Sequence, residues 1–223
     1  MSPSTSREAK SFEINPYSRW VHDYPERLLA DPSPAELEAL RQKKPGQRLH
    51  VELGSGSGNF LRQLAGQHPQ DHFVGFEIRF KRLVRSAQKL ERDGQDHVWF
   101  VKEEGERFAD YFPPESIDQF YVNFPDPWPK RRQWRKRLVS QPLLQALHSR
   151  LTPSGRFHLK TDHSGYFLHV LQVVSQMPQW RLCYFSNHLH RQAAQGSFGV
   201  ITEFEQLFIQ HQRPIYALSL AKA

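Results

Sequence analysis

The sequence predicts an α/β fold: a mostly parallel, seven-stranded sheet with helices on both faces. Three observations carry that expectation. Between residues 48 and 220, short apolar runs of strand length alternate with stretches of helical periodicity. A glycine-rich turn, G-S-G-S-G at 54–58, directly follows the first run, as at the first strand-to-helix joint of doubly wound sheets. No fixed-period repeat and no low-complexity tract suggests a solenoid or a fibrous chain instead.

The elements follow in order. Residues 1–20 are polar and Ser-rich and read as a flexible lead-in. D-P-S-P-A-E-L-E-A-L at 31–40 reads as a helix start, with Ser33 as N-cap, Pro34 in the first helical position and Glu36 in the first turn. Strands are expected at 48–53, 72–77, 97–101, 116–123, 155–161, 180–185 and 214–220. Helices are expected at 59–67, 80–92, after the basic run at 130–137, and at 166–177, with a short one near 202–211. Leu143, Leu144, Leu147 and Leu151 share one stripe of the third of these. Residues 1–45 thus form an N-terminal extension, partly flexible with one short helix, and 46–223 form the folded domain.

Thirty Lys and Arg against 23 Asp and Glu give a formal charge of +7, which favours a polyanionic partner through phosphate attraction and counterion release. Cys183 is the only cysteine, so a disulfide framework or a Cys-based zinc site within the chain is excluded. No apolar run reaches membrane-spanning length, and the first residues lack a signal-like apolar core, so a reducing cytoplasm is the expected home. The twelve histidines show no metal-ligand spacing, and no metal is expected.

In V-E-L-G-S-G-S-G-N-F at 51–60, Gly54, Gly56 and Gly58 allow positive φ and a close backbone approach to a ligand. Glu77 closes the second strand, where a carboxylate can accept both hydroxyls of a ribose. A dinucleotide site would want G-x-G-x-x-G, but the spacing here is G-x-G-x-G, with Asn59 in place of the last glycine. Glu52, two residues before Gly54, suits a cationic amino acid better than a pyrophosphate. The set therefore favours S-adenosylmethionine over a dinucleotide. Glu103 and Glu104 end the third strand, where a carboxylate can read an adenine edge; an acidic loop with no such role fits almost equally well.

N-F-P-D-P-W-P at 123–129 ends the fourth strand. Its prolines restrict the backbone around Asn123 and Asp126, so that a carboxylate is delivered beside the cofactor with little freedom left to lose. K-R-R-Q-W-R-K-R at 130–137 interleaves Trp134 with cations that can hold phosphates, Lys130, Arg131, Arg132 and Arg135 among them, and Trp134 or Trp128 could stack a base. Asp162 follows the fifth strand and faces the same cleft, or else Thr161 or Asp162 is a helix cap, a reading that fits equally well. Thr202 and Glu205 form a capping box, which accounts for much of T-E-F-E-Q-L-F without any function.

Assembled, these residues resemble the tRNA (guanine-N7-)-methyltransferases of the bacterial single-chain type, over about 48–220. The most specific match is N-F-P-D-P-W-P-K-R-R-Q-W-R-K-R-L; V-E-L-G-S-G-S-G-N-F, G-F-E-I-R, T-D-H-S-G-Y-F and T-E-F-E follow the family's order. The resemblance implies a Rossmann-like class I fold and methyl transfer from S-adenosylmethionine to guanine N7 in the variable loop of tRNA. It implies cofactor contacts at Glu52, Glu77, Glu104 and Asp126, to which the local reading adds Gly54, Gly56 and Asn123. It implies guanosine or tRNA contacts at Lys130, Asp162, Thr202, Glu203, Phe204 and Glu205, with Asp126 catalytic. The family carries Asp-Ala where this chain has Glu104 and Gly105. An amino-group methyltransferase using Asn123, and a non-catalytic RNA-binding protein that keeps the fold, stand as alternatives. Monomer and homodimer are both open.

Overall fold

Local chemistry starts several helices where the sequence places them. In the computed structural model, which describes residues 16–191 and 196–223, the Ser33 side chain accepts from the Glu36 N–H and the Glu36 carboxylate accepts from the Ser33 N–H. Ser140 caps the helix after the basic run by accepting from the Leu143 N–H, with Pro142 in the first turn. The expected lead-in at 1–15 lies outside the described residues. Residues 16–20 of that lead-in are helical instead.

The elements run α1 (Pro16–Trp20), β1 (Leu28–Leu29), α2 (Pro34–Arg41), β2 (Leu49–Leu53), α3 (Asn59–Gln67), β3 (His72–Phe76), α4 (Phe80–Asp93) and β4 (Val98–Val101). They continue α5 (Phe108–Tyr111), β5 (Ile117–Asn123), α6 (Gln141–Arg150), β6 (Leu151–Thr161), α7 (Ser164–Ser175), β7 (Trp180–Ser186), α8 (Glu203–Gln210) and β8 (Tyr216–Lys222). One sheet holds all the strands in the order β1-β4-β3-β2-β5-β6-β8-β7, and only β8 runs antiparallel to its neighbours.

The strand count differs from expectation, eight rather than seven, because two-residue β1 pairs with β4 at the edge. A pair of leucines has no period to detect. Two helices, not one, precede residue 46, and Leu28, Leu29 and Leu40 are buried with the core. That stretch packs as part of the sheet's layers.

Alternation along the strands sorts the two faces. Leu49, Val51, Leu53, Val74, Phe76, Phe120, Val122, Phe157 and Leu159 build one core with α6 and α7. Phe73, Val98, Phe100 and Tyr121 build the other with α3 and α4. Gly75 on β3 belongs to the second face, and a Cβ there would meet the Phe100 ring at 2.7 Å and the Ser55 Cβ at 2.9 Å. Its bareness lets the turn after β2 lie down on the sheet. Gly75→Ala should therefore lower unfolding free energy by about 1–3 kcal/mol through overpacking. Urea melts check this; an unchanged midpoint would show that Phe100 yields at no cost.

Candidate active site

A cleft of about 1070 Å³ opens at the carboxyl ends of β2, β3 and β5. From β2 the chain builds outward through β3 and β4, then returns to the other side of β2 as β5, so the cleft lies where strand order reverses. Glu52, Gly54, Gly56, Glu77, Glu104, Asn123 and Asp126 all line it. Every cofactor residue expected from sequence thus borders one cavity.

Gly54, Gly56 and Gly58 have φ of 71°, 58° and 73°, so the turn out of β2 needs the left-handed conformation at each. Glu77 straps that turn: its carboxylate accepts from the Gly56 N–H at 3.0 Å and from the Arg79 N–H at 2.9 Å. Each oxygen keeps a lone pair for a ligand hydroxyl. Arg82 stands 3.8 Å away.

Glu52 is 2% exposed. Asn123 Nδ2 donates to one carboxylate oxygen at 2.8 Å, while the other oxygen is buried with no partner among the described residues. Burial pushes the Glu52 pKa up to about 8, against opposing pulls from the Asn123 hydrogen bond and the Lys160 charge. A buried carboxylate with one oxygen spare, on the wall of a cavity, is a receptor for a cationic donor. Glu104 sits exposed at the cleft edge, its N–H donating to the Glu103 side chain at 2.9 Å. Glu103 also takes the Tyr111 hydroxyl and Arg107, so it is a structural acid.

The proline loop is held from several sides. Phe124 and Trp128 have φ of 50° and 42°, costly for non-glycine residues and the kind of strain that persists only where neighbours over-determine it. The Phe124 N–H donates to the Lys160 carbonyl at 2.8 Å, and Arg137 Nε donates to the Pro127 carbonyl at 3.0 Å. Arg137 is 4% exposed, sandwiched 4.6 Å from the Trp134 ring and 5.4 Å from that of Tyr166. Lys136 covers Trp128 at 4.7 Å. Both tryptophans expected to stack a base therefore already carry a cation of the chain on one face. Asp126 is exposed on the cleft wall and makes no hydrogen bond or ion pair with the described residues.

The expected substrate residues divide. Lys130, Arg131, Arg132 and Arg135 are exposed at and beside the 3-10 turn Arg131–Lys136, outside the cleft wall, while Lys136 lines it. Asp162 lies outside the wall and pairs with Arg213 at 3.3 Å. Thr202, Glu203 and Phe204 line the cleft. Glu205 does not: it is 0% exposed, closes the capping box with Thr202, and accepts from Lys160 at 2.8 Å while contacting His190 at 2.8 Å. As a substrate contact Glu205 is corrected to a buried anchor, because both oxygens are spent inside the protein.

Two features escape sequence reasoning. Glu203 reaches back to the glycine turn, accepting from Ser57 at 3.0 Å and from Asn59, with Lys89 3.6 Å away. Nothing local announces that clasp. Arg79, just before α4, and Arg82, Arg85, Lys89 and Arg92 along it line the cleft. The spacing of the last four on one helical face was the available signal. Among the described residues, no group of three or more His, Cys, Asp or Glu could hold a metal.

Against known proteins, a family described as "Putative methyltransferase" matches residues 46–218. The chain is 31% identical to a tRNA (guanine-N7-)-methyltransferase of Lactobacillus acidophilus, covering 89% of this chain and 91% of that protein. It is 33% identical to a bifunctional glycosyltransferase/methyltransferase of Fusobacterium nucleatum, covering 93% of this chain but only a third (33%) of that longer protein. Among solved structures it is similar to the 16S rRNA methyltransferase KamB, with TM-score 0.61 at 16% identity over 88% of this chain and 99% of that one. A likeness at that identity concerns fold alone.

Removing one partner of a buried ion pair strands the other charge, at a cost of about 3–5 kcal/mol. Glu205→Ala should destabilise the protein on that scale, whereas the Lys160→Met/Glu205→Leu pair of changes should recover much of the loss. Denaturant melts of the set decide it; a double variant that loses as much as Glu205→Ala or more would show that no stranded charge is being relieved.

Proposed function

This chain belongs to the tRNA (guanine-N7-)-methyltransferase family, and from that premise we propose that it transfers the methyl group of S-adenosylmethionine to N7 of a guanine in tRNA. The carrying observation is the buried Glu52 oxygen left unpartnered beside Glu77 and the glycine turn. The donor set fits S-adenosylmethionine: Glu52 for its ammonium, Glu77 for its ribose hydroxyls, and Gly54 and Gly56 for close backbone approach. Glu104 offers a carboxylate at the far edge for the adenine. Bound there, the cofactor supplies a methyl group on a sulfonium.

The residues of the chain act by positioning and electrostatics. Guanine N7 has a free lone pair, so no base is needed to remove a proton. Alkylation leaves the purine cationic, and an anion fixed at its edge is stabilised as that charge develops. Asp126, on the cleft wall and free of hydrogen-bond or ion-pair partners among the described residues, takes that part. Phe204, half exposed on the same wall, offers a face to the base. Lys130, Arg131, Arg132 and Arg135 hold phosphates outside the cleft. Thr202 borders the nucleoside side, while Asp162, outside the wall and paired with Arg213, stands farther out. Asn123 is engaged through its nitrogen, which donates to Glu52 at 2.8 Å; Asp126 set between prolines and the basic run that follows are what argue against amino-group methylation.

Among the described residues no helix is long and apolar enough to cross a membrane. We place the work in the cytoplasm, where its substrate is.

Two outcomes test this. With labelled S-adenosylmethionine and unmodified tRNA, Asp126→Ala should lose about 10²–10³-fold or more in kcat/KM while binding tRNA normally. Borohydride–aniline cleavage of the product checks that methylation is at N7; label without cleavage at a guanine would move the reaction to another atom. The second concerns pH. With its pKa near 8, Glu52 is largely protonated in the free protein below that value and must ionise to meet an ammonium. Cofactor binding should release a proton, and affinity should rise by up to about tenfold per unit from about pH 6 until it levels near 8. In Glu52→Gln the affinity should be weak and flat over that range. Calorimetry in buffers of different ionisation enthalpy reads the proton; none released would remove Glu52 from this role.

A further inference from the structure

Positive charge on this chain is concentrated in two places. Helix α4 has five cations against two acids, net +3. Residues 130–137 have six cations and no acid, net +6. Together they carry +9, against +7 for the whole chain, so the rest of the protein is slightly acidic.

Both places border the same opening. α4 leaves the sheet after β3, the proline loop leaves it after β5, and β2 with its glycine turn lies between. Neighbouring strands are about 4.8 Å apart, so the two elements depart roughly 10 Å from each other. Arg82, Arg85, Lys89 and Arg92 follow one another at intervals of 3, 4 and 3, line the cleft, and form a ridge of about 15 Å.

The ordinary reason for such a ridge is to neutralise nearby acids, and part of it does. Arg82 stands 3.8 Å from Glu77, Lys89 stands 3.6 Å from Glu203, and Arg92 pairs with its neighbour Asp93 at 3.2 Å. Arg85 does not fit that account. It is exposed in the middle of the ridge and has no acidic partner among the described residues, and the side chain of Arg79, before the helix, is in the same state, its backbone N–H alone reaching Glu77. The cleft floor, with Glu52 and Glu77, suits a cation; the ridge above it suits a polyanion.

We infer that the outer face of α4 is a second RNA-binding surface, taking backbone phosphates of the tRNA on the side of the cleft opposite residues 130–136, so that the target nucleotide enters between two phosphate-holding elements. This rests on tRNA being the substrate. Phosphate contacts set register without reading bases, so the ridge contributes affinity and placement, not the choice of guanine.

The test is the double change Arg85→Ala/Arg92→Ala, with Arg85→Lys/Arg92→Lys as the charge-preserving control. With labelled S-adenosylmethionine and an unmodified tRNA transcript, the alanine variant should raise KM for tRNA about tenfold, with kcat within about twofold, and should reduce the salt slope of tRNA binding by about 1–2. Cofactor affinity and thermal midpoint should stay as in the parent, and the lysine control should restore KM. Unchanged KM and salt slope would overturn the inference. So would a loss confined to cofactor binding, which would assign the ridge to the cofactor, or a loss the lysine control fails to restore. Should the parent protein itself neither bind nor methylate tRNA, the functional reading fails first and takes this surface with it.

Discussion

Lys160 is the residue on which the cleft depends. It lies on the last turn-side residues of β6, almost fully buried, and both ends of it are used. Its carbonyl accepts the Phe124 N–H at the start of the proline loop, while its ammonium meets Glu205 and the carbonyls of Phe198 and Val200. One side chain and its own backbone thus tie the loop carrying Asp126 to the segment carrying Thr202, Glu203 and Phe204. Burial pulls the Lys160 pKa down, and the Glu205 carboxylate 2.8 Å away opposes that pull.

Charge is layered around this centre. Acids occupy the strand ends at the floor, where Glu52 and Glu77 face the cavity, and exposed cations stand on α4 and at residues 130–136 above. A cationic cofactor and a polyanionic substrate could not share one uniformly charged pocket without one being repelled. Separating the signs by depth lets both approach. Asp126 sits at the junction of the two layers, an acid at the rim beside the cationic segment.

The geometry at the junction is bought with strain. Phe124 and Trp128 adopt backbone conformations that cost non-glycine residues roughly 1–3 kcal/mol each. Arg137, locked between Trp134 and Tyr166 and bonded to the Pro127 carbonyl, is one of the contacts that keeps the loop from relaxing. A loop free to relax would let Asp126 swing with the solvent.

Much of this was legible in the chain. Alternating apolar runs announced the sheet, because strand and helix periods are local properties. The capping boxes of Ser33 with Glu36 and Thr202 with Glu205 were readable because their partners lie three residues apart. Glu52, the glycines, Glu77 and Asp126 were readable because strand ends of a parallel sheet converge, so position along the chain implies position at the cleft. Only the folded arrangement decided the rest. Two leucines became an edge strand through β4, Glu203 found Ser57 and Asn59 far away in sequence, and α4 turned its cations toward the opening. Glu205 shows the boundary most sharply: its cap is written in four consecutive residues, but its burial is set by Lys160, 45 residues earlier, and partners at that separation leave no periodic trace.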